Sequence, residues 1–185
     1  MSYSAKQTGN KTLLVYDLGG GTFDVSIIKK QGKEIKVEWF DGDNLLGGVD
    51  WDRVLANMAL SASGIDRKIE NFEQTPDGSQ LLLNAEKSKI SLTTSQNAML
   101  SFTYNGQRHN PIIQRADFES ETKSLLNKTE QLIDKAIQSA KIKDSDIDEI
   151  IMVGGSSRMP MVLNMLRKKF IKEPKLADPD CLAHG

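Results

Sequence analysis

The chain has few of the residues that build disulfides and metal sites. Among 185 residues there is one cysteine, Cys181, and there are two histidines, His109 and His184, far apart in sequence. A single cysteine excludes an internal disulfide framework and fits a reducing compartment. No cysteine or histidine pair has the spacing of a zinc site. We therefore expect Cys181 to be a packing thiol rather than a nucleophile.

An excess of charge of one sign and long apolar runs are also lacking. The formal net charge is −1, so neither nucleic acid nor a membrane surface is favoured as a partner. No apolar run approaches the roughly 18 residues that span a bilayer, and no signal segment stands at the start. With 38% hydrophobic and 26% charged residues, the chain suits one or two small globular domains. We expect a monomer in the cytoplasm, with an organelle as the alternative location.

Glycine is concentrated where strand-type runs end. Residues 15–24 read VYDLGGGTFD, in which Asp17 ends one run and Thr22 begins the next after three glycines, Gly19–Gly21. Such a turn lets backbone amides approach an anion, and an acid beside it can hold a hydrated Mg²⁺ against phosphate oxygens. The pattern predicts a phosphate clamp. The alternative is an ordinary glycine-rich hairpin; a Walker A loop is excluded because no Gly-Lys-Ser/Thr follows.

A second glycine junction lies at residues 150–160, IIMVGGSSRMP. A buried-type strand is followed by two glycines, two serines as candidate helix N-caps, an arginine and a proline suited to a first helical turn (Gly154, Gly155, Ser156, Ser157, Arg158 and Pro160). A flat ring or a phosphate can lie against such a backbone, and the planar guanidinium can stack on a ring. The alternative is a plain helix cap.

The region between the two junctions reads as helices and short strands. The predicted elements are a strand over 33–40 that Asp41-Gly42-Asp43 breaks, a helix from Val49 to Gly64, a turn at Pro76-Asp77-Gly78, a helix from Ser79 to Leu92, a hairpin around Asn105-Gly106, and a long helix from Asp117 to about Lys141.

Two further groups of polar or small residues are candidates for ligand contact. Gly48 precedes the first helix, where unpaired amides can bind a phosphate. Glu86, Lys89 and Thr93 have helical spacing and share one edge of the second helix, where they could hydrogen-bond a ribose and a purine. The alternatives are a plain loop and a solvated face with a Glu86–Lys89 ion pair.

Four motifs in order, at residues 17–24, 46–52, 86–89 and 153–160, resemble those of the DnaK-type heat shock protein 70 chaperones. The resemblance runs from Thr12 to Gly185. It implies an α/β fold, namely an actin-like (ribonuclease H-like) ATPase lobe in which helices flank a mixed sheet and an α+β subdomain is inserted. The lobe is the second one, with subdomains IIA and IIB.

The resemblance also implies a domain division. Residues 11–48 and 116–185 form the base subdomain, and residues 49–115 form the inserted subdomain. Residues 1–10 are expected to be disordered or an artificial leader. The first lobe is expected upstream and the peptide-binding domain downstream, so the chain has the extent of an excised lobe.

The function that the resemblance implies is binding of ATP or ADP with Mg²⁺, in a chaperone whose ATP hydrolysis drives peptide binding and release. Asp17 would hold Mg²⁺ through water and support catalysis together with Thr22. The implied nucleotide-binding residues are Gly19, Gly20, Gly21, Gly48, Glu86, Lys89, Thr93, Gly154, Gly155, Ser156, Arg158 and Asp180. A J-domain co-chaperone and a nucleotide-exchange factor would be the partners of the intact protein.

The resemblance places the lysine and the glutamate that position the attacking water outside this chain. We therefore expect weak nucleotide binding and negligible hydrolysis. Leu82, Val49 and Ile90 depart from common residues of the family. The alternatives are a lobe of another actin-like phosphotransferase such as a sugar kinase, an actin-like filament protein, and a docking module for a nucleotide-exchange factor.

Overall fold

The computed structural model describes residues 9–177, which fall into two compact units. The first unit takes its described residues from Met1–Leu45 and Lys128–Gly185, and the second unit is Leu46–Asn127. Asp180 and Cys181 lie outside the described residues, as does most of the predicted leader over 1–10. Among the residues described, no helix is long and apolar enough to cross a membrane.

The regular elements come in groups of strands and groups of helices along the chain. The strands are β1 Lys11–Leu18, β2 Phe23–Gln31, β3 Glu34–Asp43, β4 Asn97–Met99, β5 Phe102–Tyr104, β6 Gln107–His109, β7 Ile112–Gln114, β8 Glu149–Val153 and β9 Lys175–Leu176. The helices are α1 Gly48–Ala62, α2 Pro76–Ser91, α3 Arg115–Glu121, α4 Lys123–Ser139 and α5 Pro160–Phe170.

The first unit is built on a mixed five-stranded sheet in the order β3-β2-β1-β8-β9. The β1/β2 and β2/β3 pairs are antiparallel, whereas β1/β8 and β8/β9 are parallel. Alternate residues of β1 (Leu14, Tyr16 and Leu18) are fully buried, because successive side chains of a strand point to opposite faces. The Tyr16 hydroxyl donates to Thr129 Oγ1 at 2.9 Å and joins β1 to α4. The mixed α/β sheet of the predicted fold is confirmed.

The second unit packs α1 against α2, beside two short antiparallel ladders, β4/β7 and β5/β6. Its core is apolar and follows the helical period, with the side chains of Trp51, Leu55, Ala59, Leu81 and Ala85 at most 1% exposed. The predicted hairpin around Asn105-Gly106 is confirmed. Both turn residues have positive φ, 49° and 77°, which is the conformation of a type I′ turn.

The prediction that Asp41-Gly42-Asp43 breaks the third strand was wrong, because β3 continues to Asp43. Gly42 pairs with Asp24 of β2. A Cβ atom at Gly42 would lie 2.3 Å from Asp24 Oδ1 and 2.6 Å from the Phe23 carbonyl oxygen. Glycine here permits a close approach of two strands instead of ending one of them.

Two helix boundaries also differ from the prediction. Pro76-Asp77-Gly78 forms the first turn of α2 rather than a separate turn, because Thr75 Oγ1 accepts the Gly78 N–H at 3.1 Å and caps the helix. The long helix expected from Asp117 is interrupted at Thr122, whose hydroxyl donates to the Phe118 carbonyl at 2.8 Å. α3 begins at Arg115, so Asp117 lies within its first turn and is not the cap.

Candidate functional site

The glycine turn, residues 19–22, joins β1 to β2 at the end of their hairpin. The Gly19 N–H donates to the Thr22 carbonyl at 3.0 Å and closes the turn. Gly20, Gly21 and Thr22 are exposed. The turn therefore presents two glycine residues without side chains, beside a threonine hydroxyl, on the surface of the first unit.

Asp17 lies at the base of this turn, directly opposite Asp24 in the β1/β2 register. Burial raises the pKa of Asp17, and the charge of Asp24 raises it further. A cation would relieve both effects, because it favours the ionised carboxyl group. The donor chemistry thus fits a hydrated Mg²⁺, which binds through one or two carboxylates and keeps several waters. Within the described residues, no group of three or more His, Cys, Asp or Glu is placed to hold a metal.

The second glycine junction lies against the first in the same unit. Asp17 pairs with Val153 in the parallel β1/β8 ladder, and Gly154 follows with φ 87°. A Cβ atom at Gly154 would lie 2.3 Å from the Leu18 carbonyl oxygen and 3.0 Å from Asp17 Oδ1. Both the positive φ and the contact require glycine, so the sheet brings the motifs at 17–24 and 153–160 together.

Ser156 and Ser157 are not helix N-caps, contrary to the prediction. They belong to a 3₁₀ turn, Gly155–Arg158, and α5 begins at Pro160 after Met159, which makes no side-chain cap. Ser157 is instead hydrogen-bonded to the ends of β1 and β8. Ser156 is buried, whereas Gly155 and Arg158 are exposed on the surface of the turn. Because its hydroxyl bonds to the ends of β1 and β8, Ser157 does not cap α5.

In the second unit, Lys89 links α2 to the start of α1. Its ammonium nitrogen lies 2.8 Å from Asp52 Oδ1 and donates to the Gly48 carbonyl at 3.0 Å. Both side chains are almost fully buried. The predicted alternative of a Glu86–Lys89 pair was wrong, because Asp52 is the ion-pair partner and Glu86 is exposed.

Asp52 is a residue that the sequence analysis did not select. Burial raises the pKa of Asp52, and the neighbouring Lys89 ammonium partly offsets that rise. Removing the cation would leave the Asp52 carboxylate buried and uncompensated, so the pair restrains both partners. The signal in sequence was the position of Asp52 in the motif at 46–52, one helical turn after Gly48.

The remaining candidates occupy different places. Gly48 is the first residue of α1, and the Gly47 N–H before it donates to Asp50 Oδ2 at 2.9 Å. Thr93 follows the end of α2, and its hydroxyl donates to the Ile90 carbonyl. The first unit therefore holds Asp17, Thr22 and both glycine junctions, and the second holds Gly48, Glu86, Lys89 and Thr93.

A mixed sheet flanked by helices is the architecture of an actin-like ATPase lobe of the kind that the Hsp70 family contains. The family model described as Hsp70 protein matches residues 1–184. The chain belongs to the Hsp70 family.

Curated relatives agree with this assignment. The chain is 38% identical over 178 residues to chaperone protein DnaK of Mesomycoplasma hyopneumoniae strain 232, covering 91% of this chain and 29% of that protein. It is 34% identical over 175 residues to chaperone protein DnaK of Mycoplasma mobile, with the same two coverages. It is 35% identical over 187 residues to heat shock 70 kDa protein 7, chloroplastic, of Arabidopsis thaliana, covering 97% and 26%. The chain thus spans less than a third of the length of these relatives.

Proposed function

We propose that the chain is the adenine nucleotide-binding lobe of an Hsp70 chaperone. The observation that carries the proposal is the contact between the two glycine junctions in the first unit, where Gly154 lies against Leu18 and Asp17. One junction suits phosphates and the other suits a flat ring, so their contact provides neighbouring places for the two ends of one nucleotide. Membership of the Hsp70 family favours this reading over a sugar kinase lobe.

In this proposal each residue of the first unit has a defined task. The amides of Gly19–Gly21 donate to phosphate oxygens, because glycine lets the backbone come close. Asp17 accepts hydrogen bonds from the water shell of Mg²⁺, and the Thr22 hydroxyl lies beside the terminal phosphate. Gly154, Gly155 and Ser156 admit the purine, on which the exposed Arg158 stacks. The bound metal supplies charge neutralisation of the phosphates.

The resemblance to the Hsp70 family implies nucleotide contacts for Gly48, Glu86, Lys89, Thr93 and Asp180 as well, and we include these residues in the proposal on that ground. Among them, the Lys89 ammonium lies beside Asp52 and donates to the Gly48 carbonyl. The proposed inserted subdomain (49–115) lies within the second unit. The proposed base subdomain (11–48 and 116–185) covers the first unit from residue 11 onward and also includes residues 46–48 and 116–127, which belong to the second unit.

The activity of the whole protein is part of the proposal. ATP hydrolysis by the complete chaperone would drive peptide binding and release, with a J-domain co-chaperone and a nucleotide-exchange factor as partners. The chain would be a monomer in the cytoplasm, with an organelle as the alternative. The support is that the relatives include bacterial chaperones and a chloroplast protein.

The test is calorimetric titration of ADP into the chain, with Mg²⁺ and again with EDTA. We expect a Kd of about 10 µM to 1 mM with Mg²⁺, in the weak range of −4 to −7 kcal/mol. Asp17→Asn should remove the benefit of Mg²⁺ and leave the EDTA titration unchanged. Arg158→Ala should weaken binding in both.

A matched control is Arg108→Ala, which removes an exposed guanidinium of β6 and should bind like the wild type. Circular dichroism must show each variant to be folded. Absence of heat at millimolar ADP for a folded wild-type chain would refute the proposed function.

A further inference from the structure

We propose that Ser157 is a positioning residue. It couples the turn assigned to the purine, Gly155–Arg158, to the turn assigned to the phosphates, Gly19–Gly21. Its side chain accepts the hydrogen bond from Leu18 that backbone would accept if the β1/β8 ladder were one step longer. The inference rests on the proposed function and adds a residue that touches no ligand. Ser157 is 0% exposed, so it acts through its neighbours.

The parallel ladder between β1 and β8 ends just before the glycine turn. Its register runs from Leu13 opposite Glu149 to Asp17 opposite Val153. The residue that follows β8 is Gly154, which leaves the extended conformation with φ 87°. The Leu18 N–H therefore takes a side-chain acceptor, Ser157 Oγ, at 3.2 Å.

The same hydroxyl also pairs with a backbone carbonyl at the end of β8. Ser157 Oγ–H donates to the Val153 carbonyl, while the Ser157 N–H donates to the Gly154 carbonyl at 3.2 Å. One side chain thus pairs with a backbone group at the end of each strand. A buried backbone group left unpaired costs about 1–3 kcal/mol, so these two bonds hold the strand ends to the 3₁₀ turn.

The position of Ser157 in the chain gives the link its functional meaning. Leu18 stands between the Asp17 carboxyl group and the Gly19 amide, which we assign to Mg²⁺ and phosphate. Ser157 stands between Ser156 and Arg158, which we assign to the purine. Binding groups must be held within about 0.5 Å of their productive positions to contribute fully. A hydroxyl that sets the Leu18 N–H therefore sets the phosphate groups relative to the purine groups.

The experiment compares adenosine with MgADP, because only MgADP uses the phosphate turn. Titrations followed by NMR give both affinities for the wild type, Ser157→Ala, Ser157→Thr and Ser157→Cys. We expect Ser157→Ala to reduce the MgADP affinity about tenfold and the adenosine affinity less than twofold. Ser157→Thr keeps the hydroxyl and should restore MgADP binding. Ser157→Cys, with a weaker hydrogen-bonding thiol, should be intermediate.

The matched control is Thr129→Ala, which removes another fully buried hydroxyl of the same unit, one that accepts a hydrogen bond from Tyr16. It should lower stability and leave the ratio of the two affinities unchanged. Equal loss of both affinities in Ser157→Ala, or the same change of ratio in Thr129→Ala, would overturn the inference. If Ser157→Ala does not fold, equal ratios in Ser157→Cys and Ser157→Thr overturn it instead. A wild type that binds neither ligand refutes the proposed function itself.

Discussion

At the scale of single residues, the buried ion pair between Asp52 and Lys89 ties helix α2 to helix α1 in the second unit. Each side chain is at most 10% exposed, and the Lys89 ammonium also bonds to the Gly48 carbonyl at the start of α1. Buried charges are tolerated only in such arrangements, since each has lost its hydration. The ion pair therefore positions Lys89, a predicted nucleotide-binding residue, through Asp52, which is not itself predicted to contact the nucleotide.

We predict that Lys89→Met lowers the free energy of unfolding by about 3 kcal/mol, because it leaves the Asp52 carboxylate buried without a cation. Urea denaturation of the chain measures the loss. The control is Lys87→Met, which replaces an exposed lysine of the same helix and should change stability by less than about 0.5 kcal/mol.

The double variant Asp52→Leu/Lys89→Met tests the cause of that loss. It removes both charges, so it should be more stable than Lys89→Met alone. A double variant that is less stable than the single one would contradict the prediction.

At the scale of elements, a small charged cluster joins the strands of the mixed sheet. Lys11 of β1 contacts Glu149 of β8 at 2.6 Å, and Lys175 of β9 lies 3.5 Å from the same carboxylate. The hydrogen bond from Lys11 lowers the pKa of Glu149 below its ordinary value, with burial acting partly against it. The cluster therefore favours the parallel order β1-β8-β9 when Glu149 is ionised.

We predict a pH dependence from this cluster. Because the folded state holds Glu149 ionised more strongly than the unfolded chain does, the stabilisation is present above the ordinary pKa of about 4.5 and is lost as the pH falls through the lower folded value. Glu149→Gln should lower the free energy of unfolding by about 0.5–1 kcal/mol at pH 7, since the lysine partners are exposed.

The difference between Glu149→Gln and the wild type should shrink toward pH 3. Urea denaturation at several pH values checks it, with Glu34→Gln on β3 as the exposed control. A difference that grows on acidification would contradict the assignment.

At the scale of the whole molecule, the chain has two compact units and spans less than a third of its curated relatives. Phosphoryl transfer requires an aligned nucleophile and neutralisation of charge by several groups at once. In the proposed function these groups bind a nucleotide, with Asp17 and Thr22 nearest to the phosphates. The resemblance to the Hsp70 family leads us to expect the groups that position water outside this chain.

We therefore predict that the isolated chain binds MgATP without turning it over. Phosphate release should not exceed that of Asp17→Asn at equal concentration, nor that of a sample without protein. The assay is a coupled measurement of inorganic phosphate over hours. Release above both controls, removed by Asp17→Asn, would show that this chain contains a complete catalytic site.

The sequence by itself determined strands and turns that depend on residues close together along the chain. Strand-type runs indicated strands, Asn105-Gly106 indicated a hairpin turn, and the glycine junctions at residues 15–24 and 150–160 indicated strand ends, because these features depend on neighbours along the chain. Only the tertiary structure decided that β3 continues through Gly42, that Lys89 pairs with Asp52, and that Ser157 bonds to Leu18. Each depends on a group distant in sequence, because a buried strand end or charge takes the partner that the fold brings to it.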